Sequence, residues 1–261
     1  MNNFSNHIAS SCQKAVVVFA KTVYYNERSK YVVLTTDGRE IVELFNVTDT
    51  ALFRGVTEDA LPAVIDRLQA RIQTFPRGGV ICRAGEPVRA AGLLLSGEAH
   101  IEHSDFWGNQ SILAGIGPGE LFAEVYACMP GASLLVSVTA VRECCVLFLD
   151  IGRIISGDAV LRSIGAPLEQ NLLRILAGKN LALTRKIHCT APRSIRSRVL
   201  TYLSFQAIEH GGISFDIPFN RQQMADYLCV DRSALSAELS RMQKDGLLEY
   251  SKNHFTLHAA E

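Results

Sequence analysis

Between Phe53 and Ile155 short apolar runs alternate with glycine-bearing turns: FPRGGVICRAGEP, GLLLSGEAHIEH, WGNQSILAGIGPGELFAE and SVTAVRECCVLFLD. Runs spaced about every ten residues, with turn signals between them, predict an antiparallel sandwich or barrel. Gly97 and Gly119 stand where tight corners need positive φ or no Cβ. Ahead of these runs, Thr57–Leu68 has helical spacing, with Thr57 as the expected N-cap. Further upstream, residues 1–50 carry β-rich runs (VVVF, TVYY, YVVLTTDG, EIVELF) with turns predicted at Asn26–Ser29 and Asp37–Gly38. That segment is too short for a core of its own and is read as an extension of unassigned role.

At about Pro167 the period becomes helical. Leu173, Leu176, Asn180, Leu183 and Ile187 are spaced 3, 4, 3, 4, the seam of a two-stranded coiled coil, with the polar Asn180 suited to fix its register. Pro192 breaks the pattern. A new helix is predicted from about Ser194 to Ile208, Gly211–Gly212 ends it, and ISFDIPF reads as a short strand.

Residues 220–246, NRQQMADYLCVDRSALSAELSRMQKDG, are the most informative. Asn220 and Gln223 have capping-box spacing, and Met224, Ala225 and Leu228 give the first helix an apolar face. Cys229–Val230–Asp231 is a three-residue turn whose last residue can cap the next helix. On that helix Leu235, Leu239 and Met242 share one side, and Arg232, Ser233, Ser236, Ala237 and Ser240 share the other. A helix-turn-helix needs this division, one face packed on its domain and one entering a DNA groove. Short hydroxyls and an arginine fork suit base edges. LLEYS, a turn at Lys252–Asn253 and HFTLH supply a β-hairpin wing, with Lys252 at its tip as a further candidate contact.

The resulting fold class is α+β: an N-terminal antiparallel, jelly-roll-like β-roll, a long dimerisation helix and a C-terminal winged helix-turn-helix. The expected divisions are an extension at 1–50, a sensor β-roll at 51–160, the dimerisation helix at 161–190 and the DNA-binding domain at 191–261.

Composition refines this picture. With 261 residues, 48% hydrophobic and 20% charged, the chain suits soluble globular domains. No apolar stretch is long enough to span a membrane, the start is a poor signal peptide, and a cytoplasmic location is expected. A formal net charge of zero hides a basic belt: residues 161–198 hold 8 basic side chains against 1 acidic. Such a belt can draw in a phosphate backbone, or simply form a solvated helix face. Seven scattered cysteines, none in a C-x-x-C pair, give no zinc or iron–sulfur signature and read as buried thiols. Adjacent Cys144 and Cys145 should point to opposite faces of a strand. No Ser/His/Asp order, paired-carboxylate motif or P-loop stands out, so the chain is not read as an enzyme, and no metal site or cofactor is identified.

On these motifs the chain resembles the Crp/Fnr family of bacterial regulators over about residues 51–258. FPRGGVICRAGEP, LLLSGEAHI and GPGELFAE are similar to its β-roll motifs, and IPFNRQQMADYLCVDRSALSAELSRMQKDGLL to its winged helix. The resemblance implies a dimer acting on an inverted repeat of double-stranded DNA, controlled by a small-molecule effector, with RNA polymerase as a further partner. It matches Arg232 to the arginine that contacts a guanine and places Ser233 and Ser236 beside it in the groove. Ala237 falls where many relatives carry a second arginine. Asn220, Arg221, Gln222 and Gln223 open the first helix and are candidates for phosphate contacts.

The effector site departs from the family pattern. Cyclic-nucleotide binders carry Phe-Gly-Glu followed about ten residues later by Arg-Ser or Arg-Thr. Here the triplet is Phe122-Ala123-Glu124, and the later pair falls on Leu134 and Leu135. A phosphate there would find no guanidinium, and an unpaired buried anion is costly. Cyclic AMP is therefore not the expected effector, and the candidate pocket, with Asn180 from the following helix, suits an apolar molecule or none. The competing function, a sensor module acting on a protein partner without DNA, leaves residues 220–258 without a use.

Overall fold

The computed structural model describes residues 47–105, 107, 110–129, 131–164 and 167–258. It also describes the backbone of four upstream strands: β1 (Ala15–Val18), β2 (Lys21–Asn26), β3 (Tyr31–Thr36) and β4 (Arg39–Ile41). These four pair antiparallel in chain order, and Val16, Val23, Leu34 and Ile41 stand in register across them. The runs VVVF, TVYY and YVVLTTDG each overlap a strand, whereas of EIVELF only Glu40 and Ile41 lie among the described residues. Apart from Asn26, which ends β2, the turn expected at Asn26–Ser29 and that at Asp37–Gly38 lie outside the described residues. The chain divides into two compact units, residues 1–176 and 177–261.

In the first unit two four-stranded sheets pack face to face. One has the order β10-β7-β12-β5, from Leu121–Phe122 (β10), Ala91–Ser96 (β7), Cys144–Leu149 (β12) and Arg71–Phe75 (β5). The other runs β6-β11-β8-β9, from Val80–Cys82 (β6), Ser137–Ala140 (β11), Ala99–Ser104 (β8) and Gln110–Ile116 (β9). Phe75, Ile81, Leu94, Phe122, Leu134, Val138 and Val146 fill the space between them.

The first sheet is buried on its other side too. There Ile72, Leu93, Leu95, Leu147 and Leu149 meet α1 (Leu61–Arg67), α3 (Gly152–Ile155), α4 (Ala159–Ser163) and the first turns of α5 (Leu168–Thr190). A strand covered on both faces has no polar side to alternate with, which is why β7 reads as the unbroken run AGLLL. Cys144 and Cys145 follow the same logic and enter different cores, as expected from their adjacency.

Two glycines permit this packing. A Cβ on Gly92 would lie 2.2 Å from the Phe122 ring, and one on Gly97, at φ +93°, would lie 2.3 Å from the Glu143 carbonyl oxygen.

The helix expected over Thr57–Leu68 is shorter, and Thr57 does not cap it. Residues 57–60 form turns in which the Thr57 carbonyl accepts from Ala60 and Leu61 amides. Helix α1 then starts at Leu61, with Pro62 in its first turn. Proline fits there because its φ is already helical and its missing N–H is not needed.

In the second unit, α6 (Ile195–His210) is capped by Ser194 and ended by left-handed Gly211. Strands β13 (Ser214–Asp216), β15 (His254–Leu257) and β14 (Leu248–Ser251) form an antiparallel sheet in that order. Helices α7 (Arg221–Leu228) and α8 (Arg232–Lys244) complete the unit. Val199, Leu203, Met224, Leu228, Leu235, Leu239, Met242 and Phe255 make its core. No helix among the described residues is long and apolar enough to cross a membrane.

Candidate nucleic-acid interface

Helix α7 begins with the full capping box. The Asn220 side chain accepts from the Gln223 amide at 2.9 Å, and the Gln223 side chain accepts from the Asn220 amide at 2.8 Å. Three residues, Cys229–Val230–Asp231, then turn the chain. Cys229 adopts the left-handed conformation, φ +53°, and Asp231 caps α8 by accepting from the Ala234 amide at 2.9 Å. The hydroxyl of Ser233 also donates to Asp231. That hydroxyl, with the Ala234 amide, holds the Asp231 carboxyl below its ordinary pKa.

Leu235, Leu239 and Met242 of α8 are fully buried, and Arg232, Ser233, Ala237 and Ser240 are exposed, with Ser236 half-buried between them. Ser236 donates to the Arg232 carbonyl at 3.0 Å and Ser240 to the Ser236 carbonyl at 3.1 Å. With its hydrogen turned back to the helix, the Ser236 hydroxyl offers lone pairs outward, suited to accept from a base amino group, while Ser240 also meets the Tyr250 hydroxyl of the wing at 3.4 Å.

The candidates on α7 have internal work. Arg221 is half-buried, its guanidinium 5.0 Å from the Tyr250 ring and 5.7 Å from Phe255, and it donates to the Lys252 carbonyl at 3.3 Å. Burial lowers its pKa from the ordinary arginine value. It therefore braces the wing against α7. Gln222 donates to Asp226 at 2.8 Å, and Gln223 closes the cap. Lys252 sits at the wing turn with φ +54°.

The basic belt also proves to be largely tied down. Arg162 pairs with Glu169 at 3.4 Å, and Arg185 with Glu209 at 3.5 Å. Lys186 lies 6.0 Å from the centre of the Tyr227 ring. Arg198 donates to the carbonyls of Pro192, Leu228 and Cys229 at 2.8–3.0 Å, so it clamps the end of α7 and its turn. Arg196 bonds Glu238 and Asp245, both beyond α7. The ties of Lys186, of Arg196 and of Arg198 to Leu228 and Cys229 join residues 30 or more apart in sequence and leave no trace in local spacing.

Two sequence families match this chain. Residues 72–156 match the family described as cyclic nucleotide-binding domain, and residues 197–261 the Crp-like helix-turn-helix domain. The chain belongs to the Crp/Fnr family. It is a transcription regulator and not an enzyme. A CRP-like cAMP-activated global transcriptional regulator of Mycobacterium tuberculosis is 25% identical over 190 residues, 72% of this chain and 84% of that one. The solved structure of CprK complexed with OCPA shares the fold, with TM-score 0.55 and 14% identity, covering 78% of this chain and 92% of that one. The catabolite activator protein of Thermus thermophilus aligns with TM-score 0.42 and 20% identity, over 80% of this chain and 94% of that one.

Against the Crp/Fnr pattern the altered cassette has a definite structure. Phe122 ends β10 in the core, Ala123 is left-handed at φ +56°, and Glu124, buried, opens the short helix α2 (Glu124–Cys128). Leu134, expected from the sequence at the family's arginine position, is buried between the sheets. Its amide donates to the Glu86 carbonyl at 3.0 Å and its carbonyl accepts from Gly85 at 2.7 Å. Leu135 is 75% exposed, and its amide donates to the Tyr126 hydroxyl at 3.3 Å. Asn180 is exposed on α5.

The cysteines present no metal cluster among the described residues. Burial, with help from Glu86, pushes the Cys82 thiol up to about 11, and burial also raises Cys144 and Cys189. Cys229 departs from the expected pattern by being exposed in the turn before α8.

Proposed function

We propose that the protein acts in the cytoplasm as a homodimer, pairing two copies of α5 so that two α8 helices meet the half-sites of an inverted repeat. The observation that carries this reading is the state of the α5 seam. Leu173, Leu183 and Ile187 lie 68%, 62% and 65% exposed in the single chain, with Asn180 among them, while Leu176 of the same seam is half-buried against the core of the first unit. Large aliphatic side chains left exposed along one stripe of a long helix call for a second helix.

In this reading Arg232 forks onto a guanine, and Ser233, Ser236 and Ser240 accept from neighbouring bases. Ala237 widens tolerance at its position. Phosphate contacts come from Lys252 and the open amides at the start of α7 more than from Arg221, whose guanidinium faces the wing rings. An effector, if one acts, is an apolar molecule near Phe122, Ala123, Glu124 and Leu135 rather than cyclic AMP. Leu134 supports this choice, because it gives its side chain to the core and leaves no cation for a phosphate.

Sedimentation together with mobility shift tests the proposal. A dimer that binds an inverted repeat selected from random duplexes, and binds a single half-site much more weakly, is expected. A monomer, or binding indifferent to sequence, contradicts it.

A further inference from the structure

Helix α8 reads bases with an unusually light set of side chains: one arginine, three serines and an alanine. Hydroxyls reach little beyond the helix surface, so their hydrogen bonds to a base depend on how the helix is rolled in the groove. The buried leucines decide which side faces inward. They are non-directional contacts and restrain the roll angle weakly.

A directional restraint lies on the flank of the helix. Arg196, in the first turn of α6, donates through Nε to Glu238 at 2.6 Å and pairs through Nη2 with Asp245 at 2.7 Å. Glu238 and Asp245 are seven residues apart, two helical turns, so both lie along one flank of α8 and its C-cap. The Glu238 side chain is 12% exposed, and its second oxygen accepts from Arg241 at 2.9 Å. Two contacts two turns apart, made by one planar fork, resist both rotation and tilt. A lysine, a single point charge, could hold one of them.

We propose that Arg196 is a positioning residue for base recognition: it touches no DNA, and through Glu238 and Asp245 it sets the roll of α8 on which the serine contacts depend. This rests on the reading of α8 as the base-reading helix. The Arg196 bond also holds the Glu238 carboxyl below its ordinary pKa, consistent with an ion pair kept at neutral pH.

The experiment uses the full chain and a duplex selected by the wild-type protein from a random pool, with a scrambled duplex as non-specific partner. Affinities for both are measured over a range of salt. Arg196→Ala should lower the ratio of specific to non-specific affinity about tenfold, leaving the non-specific affinity and the salt slope unchanged. Glu238→Gln should lower the same ratio, the double variant should lose no more than the worse single one, and Arg196→Lys should restore part of it. If Arg196→Ala does not fold, Arg196→Lys and Glu238→Gln carry the test. An unchanged ratio overturns the proposal, as does a double loss equal to the product of the singles. A parallel fall in both affinities with a shallower salt slope also overturns it, because Arg196 would then be a phosphate contact. Should the wild type select no duplex, the base-reading assignment itself fails, a result distinct from these.

Discussion

The side-chain amide of Asn171 donates to the Leu52 carbonyl at 2.9 Å and to the Arg54 carbonyl at 2.7 Å, 119 and 117 residues away. Asn171 is buried, and its own carbonyl oxygen accepts from Arg174 at 3.3 Å. One residue thus fastens the start of α5 to the segment that leads into the β-roll.

Asn171→Ala removes the donor from the buried Leu52 carbonyl and from the part-buried Arg54 carbonyl, and should cost about 1–3 kcal/mol. A thermal midpoint lowered by roughly 2–4 °C for each kcal/mol is the expected result. A midpoint within error of wild type would show that the segment at 52–54 finds other partners.

Cys229 occupies the left-handed region that side chains with a Cβ avoid. Cys229→Gly should therefore stabilise the chain by about 0.5–1 kcal/mol and leave DNA binding intact. Chemical denaturation measures this. A clear loss of stability would mean that the thiol packs in a way that outweighs its backbone conformation.

Arg232→Ala should weaken binding by about 1–3 kcal/mol and relax selectivity at one base-pair position per half-site. Selection from a random duplex pool with the variant reads out both effects. Uniform weakening at every position would instead assign Arg232 to the phosphates.

The carboxyls of Asp231 and Glu238 are held below their ordinary values of 3.8 and 4.5, chiefly by the Ser233 hydroxyl and by Arg196 respectively. A lowered folded-state pKa means that the charged form is favoured by folding. The stabilisation is complete above the ordinary values and disappears as pH falls through the lower folded ones. Protection of the amides across residues 231–245, corrected for the intrinsic slowing of exchange in acid, should therefore fall as pH drops below 4.5. Glu238→Gln should remove its share of that response.

Cyclic AMP should leave the thermal midpoint and the DNA affinity unchanged, since Leu134 and Leu135 offer its phosphate no cation. A midpoint that rises with the nucleotide in a saturable way would show that another cation, such as Arg83 or Arg89, serves the phosphate.

Much of the recognition unit was legible in the chain. Caps and turns are local, so Asn220, Gln223, Asp231 and the Lys252–Asn253 turn could be placed from a few neighbouring residues. The faces of α8 followed from helical period alone. Tertiary ties were not legible. Arg196 and Arg198 looked like attractors for phosphate because their partners, Glu238 and the carbonyls of Leu228 and Cys229, come from residues 30 or more positions away. The bracing contacts of Arg221 were illegible for the same reason, its aromatic partners lying on the wing. The start of α1 failed on a local conflict, where a threonine with capping chemistry stood ahead of a proline that set the first turn.

Strand β12 carries adjacent thiols into separate apolar compartments, Cys144 between the sheets and Cys145 under the helices. The two compartments therefore share a wall one backbone thick. Neither can swell without dragging that wall, so the roll has no half-melted form to visit. Heat should expose both sulfurs together, in a single cooperative step.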